Sequence, residues 1–321
     1  MNNTLYIVVP CYNEEEMLPI SAPVFKNKIE SLIKEKSISE NSKVLLVNDG
    51  SKDKTWDIIE NLCKESNVFA GIKLSRNQGH QNALMAGLSV AKENADMAVT
   101  IDADLQDDIN AIDKMVQKFN EGNEVVYGVR SSRKTDTAFK RMTAQGFYKM
   151  MGLMGVDIVY NHADFRLLSK RAIEYLEQFK EVNLFLRGIV PLLGFKSDVV
   201  EYARNEREAG ESKYPLKKML AFAFDGITSF SIKPIRMVTA VGIIGFIVAI
   251  IFAIYSLVGY AMHKTVSGWT STILSVWLFG SLQLMATGII GEYIGKVYLE
   301  TKSRPRYFIE RLILNEKEDK D

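Results

Sequence analysis

The stretch MAVTIDADLQDD, residues 97 to 108, joins a short apolar run to a cluster of acidic and amide side chains. An apolar run this short predicts a buried β-strand, with the polar residues at its carboxyl end. The same order recurs in LYIVVPCYNEEE at 5–16, KVLLVNDGSKD at 43–53 and AGIKLSRNQG at 70–79. The predicted strands are Leu5 to Val9, Lys43 to Val47, Ala70 to Leu74, Met97 to Ile101 and Val125 to Val129.

Stretches with helical spacing separate these runs, among them Trp56 to Ser66 and Ala83 to Glu93. Alternation of strands and helices predicts an α/β domain with a doubly wound, mainly parallel sheet. In such sheets ligands bind beyond the carboxyl ends of the strands, where the polar residues of this chain lie. The chain has neither GxGxxG after its first strand nor GxxxxGK[ST] anywhere, which argues against a dinucleotide oxidoreductase and a P-loop nucleotidase.

The charge balance excludes a general attraction to nucleic acid. Forty Lys and Arg face 39 Asp and Glu, giving a formal net charge of +1. The two cysteines, Cys11 and Cys63, lack the spacing of a zinc site or a disulfide framework, and we expect both to be reduced and buried. The first ten residues do not resemble a signal peptide, so we expect the N-terminus in the cytoplasm.

Charge nearly disappears from two later stretches, Met237 to Met262 and Val266 to Gly291. Each exceeds the roughly 20 residues that a helix needs to cross a bilayer, which predicts two transmembrane helices; a buried helical hairpin is the alternative. Basic residues flank the pair on both outer sides while the connecting loop carries only Lys264, so we expect both termini in the cytoplasm and the chain in the cell membrane.

This pattern divides the chain into four parts. Residues 1–213 form the predicted cytoplasmic domain and 214–236 a predicted amphipathic helix along the inner membrane surface. Residues 237–295 form the two-helix hairpin and 296–321 a cytoplasmic C-terminal tail.

The DADLQ stretch places three oxygen-bearing side chains close together, those of Asp102, Asp104 and Gln106. Carboxylate and amide oxygens suit Mg²⁺ or Mn²⁺ carrying a diphosphate, because hard cations prefer oxygen ligands and share substrate phosphates. A solvated acidic loop or a helix cap is the alternative.

Four motifs in order make the pattern more specific: VVPCYNEEE at 8–16, VNDGSKD at 47–53, DADLQ at 102–106 and HADFRLLSKR at 162–171. With these, the chain resembles family 2 glycosyltransferases of the GT-A fold, in the polyprenyl-phosphate (dolichol-phosphate mannose synthase-like) branch and of the bacterial bactoprenol glycosyltransferase type. The resemblance covers nearly the full length, including GEYIGKVYLETKSRPRY at 291–307.

The resemblance implies roles on the donor side. It places Asp102 near the ribose and the metal, and makes Asp104 and Gln106 metal ligands that hold the donor diphosphate. The positions that cradle the base and ribose are Pro10, Tyr12, Glu14 and Asp49. Each of these four has a structural alternative. Pro10 would end a strand, Tyr12 would pack, Glu14 would be a charge in a first helical turn, and Asp49 would stabilise the NDGS turn. We interpret His80 and His162 as structural or peripheral.

The acceptor side is basic. The resemblance places Arg130 and Arg141 near the acceptor phosphate, and the group Arg207, Ser212 and Lys213 near the donor phosphates or a closing loop; Ser212 is also a candidate acceptor-phosphate ligand. Arginine suits phosphate because its planar fork donates two directed hydrogen bonds. A solvated basic face that attracts anionic lipid headgroups is the alternative.

Asp164 stands where related transferases carry the carboxylate that activates the acceptor. A phosphate monoester is already anionic near neutral pH and needs little base assistance. Asp164 is therefore a candidate catalytic base that has two rival roles, orienting Arg166 or binding a sugar hydroxyl.

The expected function is transfer of a single sugar from UDP-glucose or UDP-N-acetylglucosamine to undecaprenyl phosphate. We expect it to occur at the cytoplasmic membrane face, to be metal-dependent and inverting, and to supply lipid-linked sugar for cell-envelope glycans; a homo-oligomer is compatible with this. A processive polysaccharide synthase is the first alternative, but the chain lacks the Arg-Trp pair of the Q-x-x-R-W motif. A catalytically silent membrane scaffold is the second.

Overall fold

The computed structural model describes residues 2–131, 162–181, 184–203 and 268–314, together with isolated positions between 235 and 254. The strands are β1 Leu5–Cys11, β2 Lys43–Asn48, β3 Phe69–Leu74, β4 Met97–Thr100, β5 Val125–Arg130, β6 His162–Ser169, β7 Ser197–Tyr202 and β8 Ile309–Ile313. The helices, numbered here in chain order, are α1 Leu18–Lys34, α2 Thr55–Glu65, α3 His80–Asn94, α4 Ala111–Asn120, α5 Lys170–Leu176, α6 Leu186–Leu192 and α7 Trp269–Lys302.

The strands form one sheet in the order β7-β5-β6-β4-β1-β2-β3-β8. The pairs β4-β1, β1-β2 and β2-β3 are parallel, as is β5-β7. β6 runs antiparallel between β4 and β5, and β8 runs antiparallel along β3. The predicted α/β class and mainly parallel sheet are confirmed, and the five predicted strands all form. Every residue of β2 and β4 is buried, as expected of parallel strands covered on both faces.

Helices cover both faces of the sheet and enclose two apolar layers. Phe25 of α1, Ile59 of α2 and Met115 of α4 belong to one layer, which lies on one face. Leu88 of α3 and Ile189 of α6 belong to the other, together with residues of α5. Burying both faces supplies the main driving force for folding.

Helix α3 lies directly against the middle of the sheet because it carries a glycine where it crosses β1. A Cβ atom at Gly87 would lie 2.3 Å from Cγ1 of Val8 and 2.9 Å from Cγ2 of Val47. Helix α3 begins at His80, which lies near Asp102 at the carboxyl end of β4.

In the described part of the chain, no helix is both long enough and apolar enough to cross a membrane. Most of the first predicted span, 237–262, and residues 214–234 of the predicted interfacial helix lie outside that part. The second predicted span falls largely within α7, which is 34 residues long. The two transmembrane helices therefore stay a prediction.

The end of the chain returns to the sheet. β8 adds a strand along β3, although the sequence pattern assigned its residues to a tail. Ser75 N donates to Phe308 O at 3.0 Å, and Lys43 Nζ donates to Leu314 O at 2.6 Å. Lys73 Nζ lies 2.7 Å from Glu310 Oε1. Residues that follow α7 are thus part of the α/β domain.

Candidate active site

The loops after β1 and β2 form a single hydrogen-bonded unit at the carboxyl edge of the sheet. Asn13 N donates to Ser51 Oγ at 3.0 Å, and Asn13 Oδ1 accepts from Lys52 N at 3.0 Å. Glu14 N donates to Thr55 Oγ1 at 2.9 Å. These bonds hold the first and second motifs together, as the parallel pairing of β1 and β2 predicts. Beside this unit, Tyr12 is 38% exposed and Pro10 stays within β1, opposite Val47.

Asp49 is buried and holds the turn before α3. Its carboxylate accepts from Gln78 N at 2.7 Å and from Gly79 N at 3.0 Å. Burial raises the pKa of Asp49, and the two backbone N–H groups partly offset that rise. Asp49 thus stabilises the loop before α3, whereas its structural alternative had named the NDGS turn. Its contact with a nucleotide stays a prediction.

Gly50 allows that arrangement. It has φ +60°, and a Cβ atom there would lie 2.4 Å from the backbone C of Arg76 and N of Asn77. The NDGS turn therefore packs backbone against backbone on the loop that follows β3.

The DADLQ turn follows β4 at the same edge. Leu105 has φ +53°, and Gln106 N donates to Asp104 Oδ1 at 3.2 Å. Burial raises the pKa of Asp102 to about 6; His80 lowers it, whereas the carboxylates of Asp107, Asp104 and Asp164 raise it further. Negative charge is thus concentrated at the position predicted to hold a metal.

The oxygen atoms that these side chains carry are of the kind that divalent cations bind. Within the described ranges, no three or more His, Cys, Asp or Glu residues are grouped so as to hold a metal by themselves. Mg²⁺ is usually held by one or two carboxylates together with substrate phosphates. Asp102, Asp104 and the amide of Gln106 supply such a partial set of hard oxygen ligands.

His80 lies between the DADLQ turn and the HADFR motif. Its Nε2 lies 3.6 Å from Asp102 Oδ1 and 3.7 Å from Asp164 Oδ2. His80 was interpreted as structural or peripheral, and the structure places it between two of the predicted site residues. The side chain of His162 lies outside the described residues.

Asp164 is clamped by cations. Its Oδ1 accepts from Arg166 Nη2 and from Arg187 Nε at 3.3 Å. Its Oδ2 accepts from Arg187 Nη2 at 3.0 Å and from Gln81 Nε2 at 3.3 Å. Burial alone would raise the pKa of Asp164, but the guanidinium groups of Arg187 and Arg166 outweigh burial and hold that pKa well below its usual range. The predicted contact between Asp164 and Arg166 is present.

Sequence reasoning missed Arg187 and Gln81. One signal could have revealed Arg187, since it is the single charged residue in LFLRGIVPLLGF at 184–195. An arginine that interrupts an otherwise apolar run needs a partner, and here that partner is Asp164. Gln81 stands in a polar loop-to-helix junction and gave no comparable signal.

Arg130 lies next to the DADLQ turn and is held there by two side chains. Its Nη2 donates to Asp107 Oδ1 at 3.1 Å, and its Nε donates to the Tyr202 hydroxyl oxygen at 3.4 Å. Tyr202 in turn donates to Asp107 Oδ1 at 2.6 Å. β5 and β7 are thereby tied to the site. The other predicted phosphate ligands, Arg141, Arg207, Ser212 and Lys213, lie outside the described residues.

Comparison with known proteins agrees with this geometry. Residues 6–176 match the family model described as glycosyl transferase family 2. The chain is 53% identical over 312 residues to the uncharacterized glycosyltransferase YkoT of Bacillus subtilis, covering 97% of this chain and 93% of that protein.

Two further relatives carry functional names. The prophage bactoprenol glucosyl transferase homolog of Escherichia coli is 38% identical over 308 residues, covering 95% of this chain and 98% of that protein. The bactoprenol glucosyl transferase of Shigella phage SfX is 38% identical over 305 residues, covering 94% of this chain and 97% of that protein. The predicted GT-A type of α/β fold is confirmed by the family match and the sheet topology, and the chain belongs to glycosyl transferase family 2.

Proposed function

We propose that this enzyme transfers one glucose from UDP-glucose to a polyprenyl phosphate of the bactoprenol type. The observation that carries the proposal is the meeting of two oppositely charged groups at one edge of the sheet. Asp102 of the acidic DADLQ turn and the arginine-clamped Asp164 lie 3.6 and 3.7 Å from the same atom, His80 Nε2. The relatives named bactoprenol glucosyl transferase support glucose as the sugar and bactoprenol as the lipid.

The two sides suit the two substrates of such a reaction. A Mg²⁺ or Mn²⁺ ion held by Asp102, Asp104 and Gln106 would neutralise charge on the departing nucleoside diphosphate. The joined loops after β1 and β2 form a rigid edge next to that turn, where Tyr12 is exposed for contact with a base. Asp49 keeps the adjoining loop in place.

The acceptor requires little chemical activation. A phosphate monoester has its second pKa near 6, so its oxygens are anionic at neutral pH and can attack the anomeric carbon directly. The protein then accelerates transfer by aligning the two substrates and by neutralising charge. A single displacement of this kind inverts the anomeric configuration.

We also propose that the protein is membrane-anchored, with the site and both termini on the cytoplasmic side. The uncharged runs at 237–262 and 266–291 and the basic residues outside them support this topology. Large apolar side chains of α7 are exposed, among them Leu284 at 76% and Val276 at 67%, and lipid would bury them. A lipid acceptor lies in the membrane, so the active site has to be close to the membrane.

The test is a panel of nucleotide sugars offered to the purified full-length protein with undecaprenyl phosphate. We expect label from UDP-glucose in the organic-extractable lipid, and none after EDTA treatment. Asp104→Asn should nearly abolish transfer because it removes a predicted metal ligand. The matched control is Asp113→Asn, which removes an exposed carboxylate of α4 that pairs with Lys28. Label in an aqueous polymer would instead favour a processive synthase, and equal activity of Asp104→Asn and wild type would refute the site.

A further inference from the structure

The Asp164 carboxylate is fully engaged by hydrogen-bond donors. A carboxylate offers about four lone-pair positions. Two donors reach Oδ1, from Arg166 and Arg187, and two reach Oδ2, from Arg187 and Gln81. The Asp164 side chain is only 10% exposed. No lone pair is left over for a proton that an acceptor would release.

The charge around Asp164 also opposes proton transfer. Two guanidinium groups contact one carboxylate, so the cluster keeps a net positive charge. Its pKa lies well below the usual range, so the group is ionised yet a weak proton acceptor at neutral pH. A phosphate monoester needs no strong base in any case.

The two arginines differ in what they can reach. The Arg166 side chain is 1% exposed, and its Nε and Nη1 have no hydrogen-bond partner in the described part of the chain. The Arg187 side chain is 34% exposed and makes a forked contact with Asp164 through Nε and Nη2. Arg187 is therefore the cation of this cluster that a substrate can touch.

A second contact fixes the position of Arg187. Gln81, at the start of α3, donates to Asp164 and accepts from Leu186 N at 3.3 Å. Leu186 is the first residue of α6 and precedes Arg187 directly. The backbone of α6 and the guanidinium of Arg187 are thus held by Gln81 and Asp164, which both lie next to His80. Guanidinium groups fixed in this way favour phosphate oxygens, which accept directed hydrogen bonds.

We propose that Arg187 binds a phosphoryl oxygen at the reaction centre, and that Asp164 is a positioning residue that holds Arg187 rather than a general base. The proposal builds on the proposed glycosyl transfer and adds a residue to its site. The phosphoryl oxygen belongs either to the donor diphosphate or to the lipid phosphate, and two separate measurements distinguish these sources.

The first experiment compares Arg187→Ala, Arg187→Lys and wild type in the full-length protein. Calorimetry measures UDP affinity in the presence of Mn²⁺, and initial rates against undecaprenyl phosphate give the lipid KM and kcat. Loss of a charge-assisted phosphate contact predicts a roughly tenfold to hundredfold change in one of the two affinities. A change in UDP affinity assigns Arg187 to the donor, and a change in lipid KM assigns it to the acceptor. Arg187→Lys should restore only part of the lost affinity, because lysine returns the charge without the planar guanidinium fork.

The matched control is Arg171→Ala. Arg171 is an arginine of α5 that is 59% exposed and pairs with Glu124 on the surface. Its removal should leave UDP affinity, lipid KM and kcat unchanged. If Arg187→Ala behaves like this control, the proposal is wrong.

The second experiment tests the role of Asp164 with the double variant Asp164→Asn/Arg187→Ala. A positioning residue acts through Arg187, so Asp164→Asn should alter the same parameter as Arg187→Ala and add little to it in the double variant. Loss of a general base would instead lower kcat without changing UDP affinity or lipid KM. In the double variant, the fold-decreases of the two single variants would then multiply. Asp164→Asn leaves buried Arg166 with a weaker partner, so if it fails to fold, the two Arg187 variants still decide the phosphate contact.

Failure of the proposed function gives a different result. If wild type binds UDP but transfers no glucose to lipid, the proposed acceptor is wrong. The UDP measurement on Arg187→Ala then decides the present proposal alone: a weaker affinity supports it and an unchanged affinity overturns it.

Discussion

Asp49→Asn tests whether the loop before α3 depends on a buried carboxylate. In the native protein both carboxylate oxygens are used, since Oδ1 accepts from Gln78 N and Oδ2 from Gly79 N. Asparagine keeps the shape but has one oxygen and one NH₂ group, and an NH₂ group cannot accept a hydrogen bond. One of the two backbone N–H groups therefore loses its partner.

The cost follows from the burial of this contact. Asp49 is 3% exposed, so water cannot easily replace the missing acceptor. Leaving a buried donor unsatisfied costs about 1–3 kcal/mol. For a domain of this size, each kcal/mol lowers Tm by roughly 2–4 °C, so we expect a fall of about 2–12 °C. UDP affinity should also fall, because Gln78 and Gly79 directly precede His80.

Thermal unfolding and UDP calorimetry on the purified full-length protein measure both effects. Glu30→Gln serves as the control, since its exposed pair with Lys26 contributes less than about 1 kcal/mol. A variant with native Tm and weakened UDP binding would show that Asp49 contacts the nucleotide without holding the loop. Native values of both would refute our account of Asp49.

Three further predictions follow from single contacts. Gly50→Ala should lower the free energy of unfolding by about 2–5 kcal/mol, measured by denaturant titration, because a left-handed backbone and a 2.4 Å approach to Arg76 both oppose a Cβ atom. Tyr202→Phe removes the hydroxyl that contacts Asp107 and Arg130, so transfer activity should fall while the far-ultraviolet circular dichroism stays unchanged; full activity would separate this network from the site. The pKa of Asp164 is lowered in the folded protein, so its contribution to stability is present above about pH 4 and is lost as pH falls further. Denaturant midpoints of wild type and Asp164→Asn should therefore converge at acid pH, and a gap that stays constant would contradict the ion pairs.

Local pattern was enough to predict the parallel core. The strands that begin at Leu5, Lys43 and Met97 are short apolar runs. A strand buried on both faces needs apolar residues along its length, and this is visible in the local sequence alone. The position of the polar turns followed from topology, because the carboxyl ends of parallel strands meet at one edge. Asp102 and Asp104 were found in this way.

Contacts between distant segments were not predictable in the same way. β6 contains Asp164 and Arg166, so its sequence does not look like a central strand; the ion pair between them makes its burial possible. Gly87 lets α3 approach the sheet closely, and His80, the first residue of that helix, lies near Asp102 and Asp164. β8 follows a long apolar stretch and pairs with a strand more than 200 residues earlier, which no local periodicity reveals.

The mass of the lipid product shows whether the enzyme transfers one glucose to a polyprenyl phosphate. The full-length protein is incubated with UDP-glucose, undecaprenyl phosphate and Mn²⁺, and the extracted lipid is analysed by mass spectrometry. We expect a lipid phosphate that carries one hexose, formed by wild type and by Asp113→Asn but absent with Asp104→Asn. An unchanged lipid, or a lipid that carries several sugars, would contradict it.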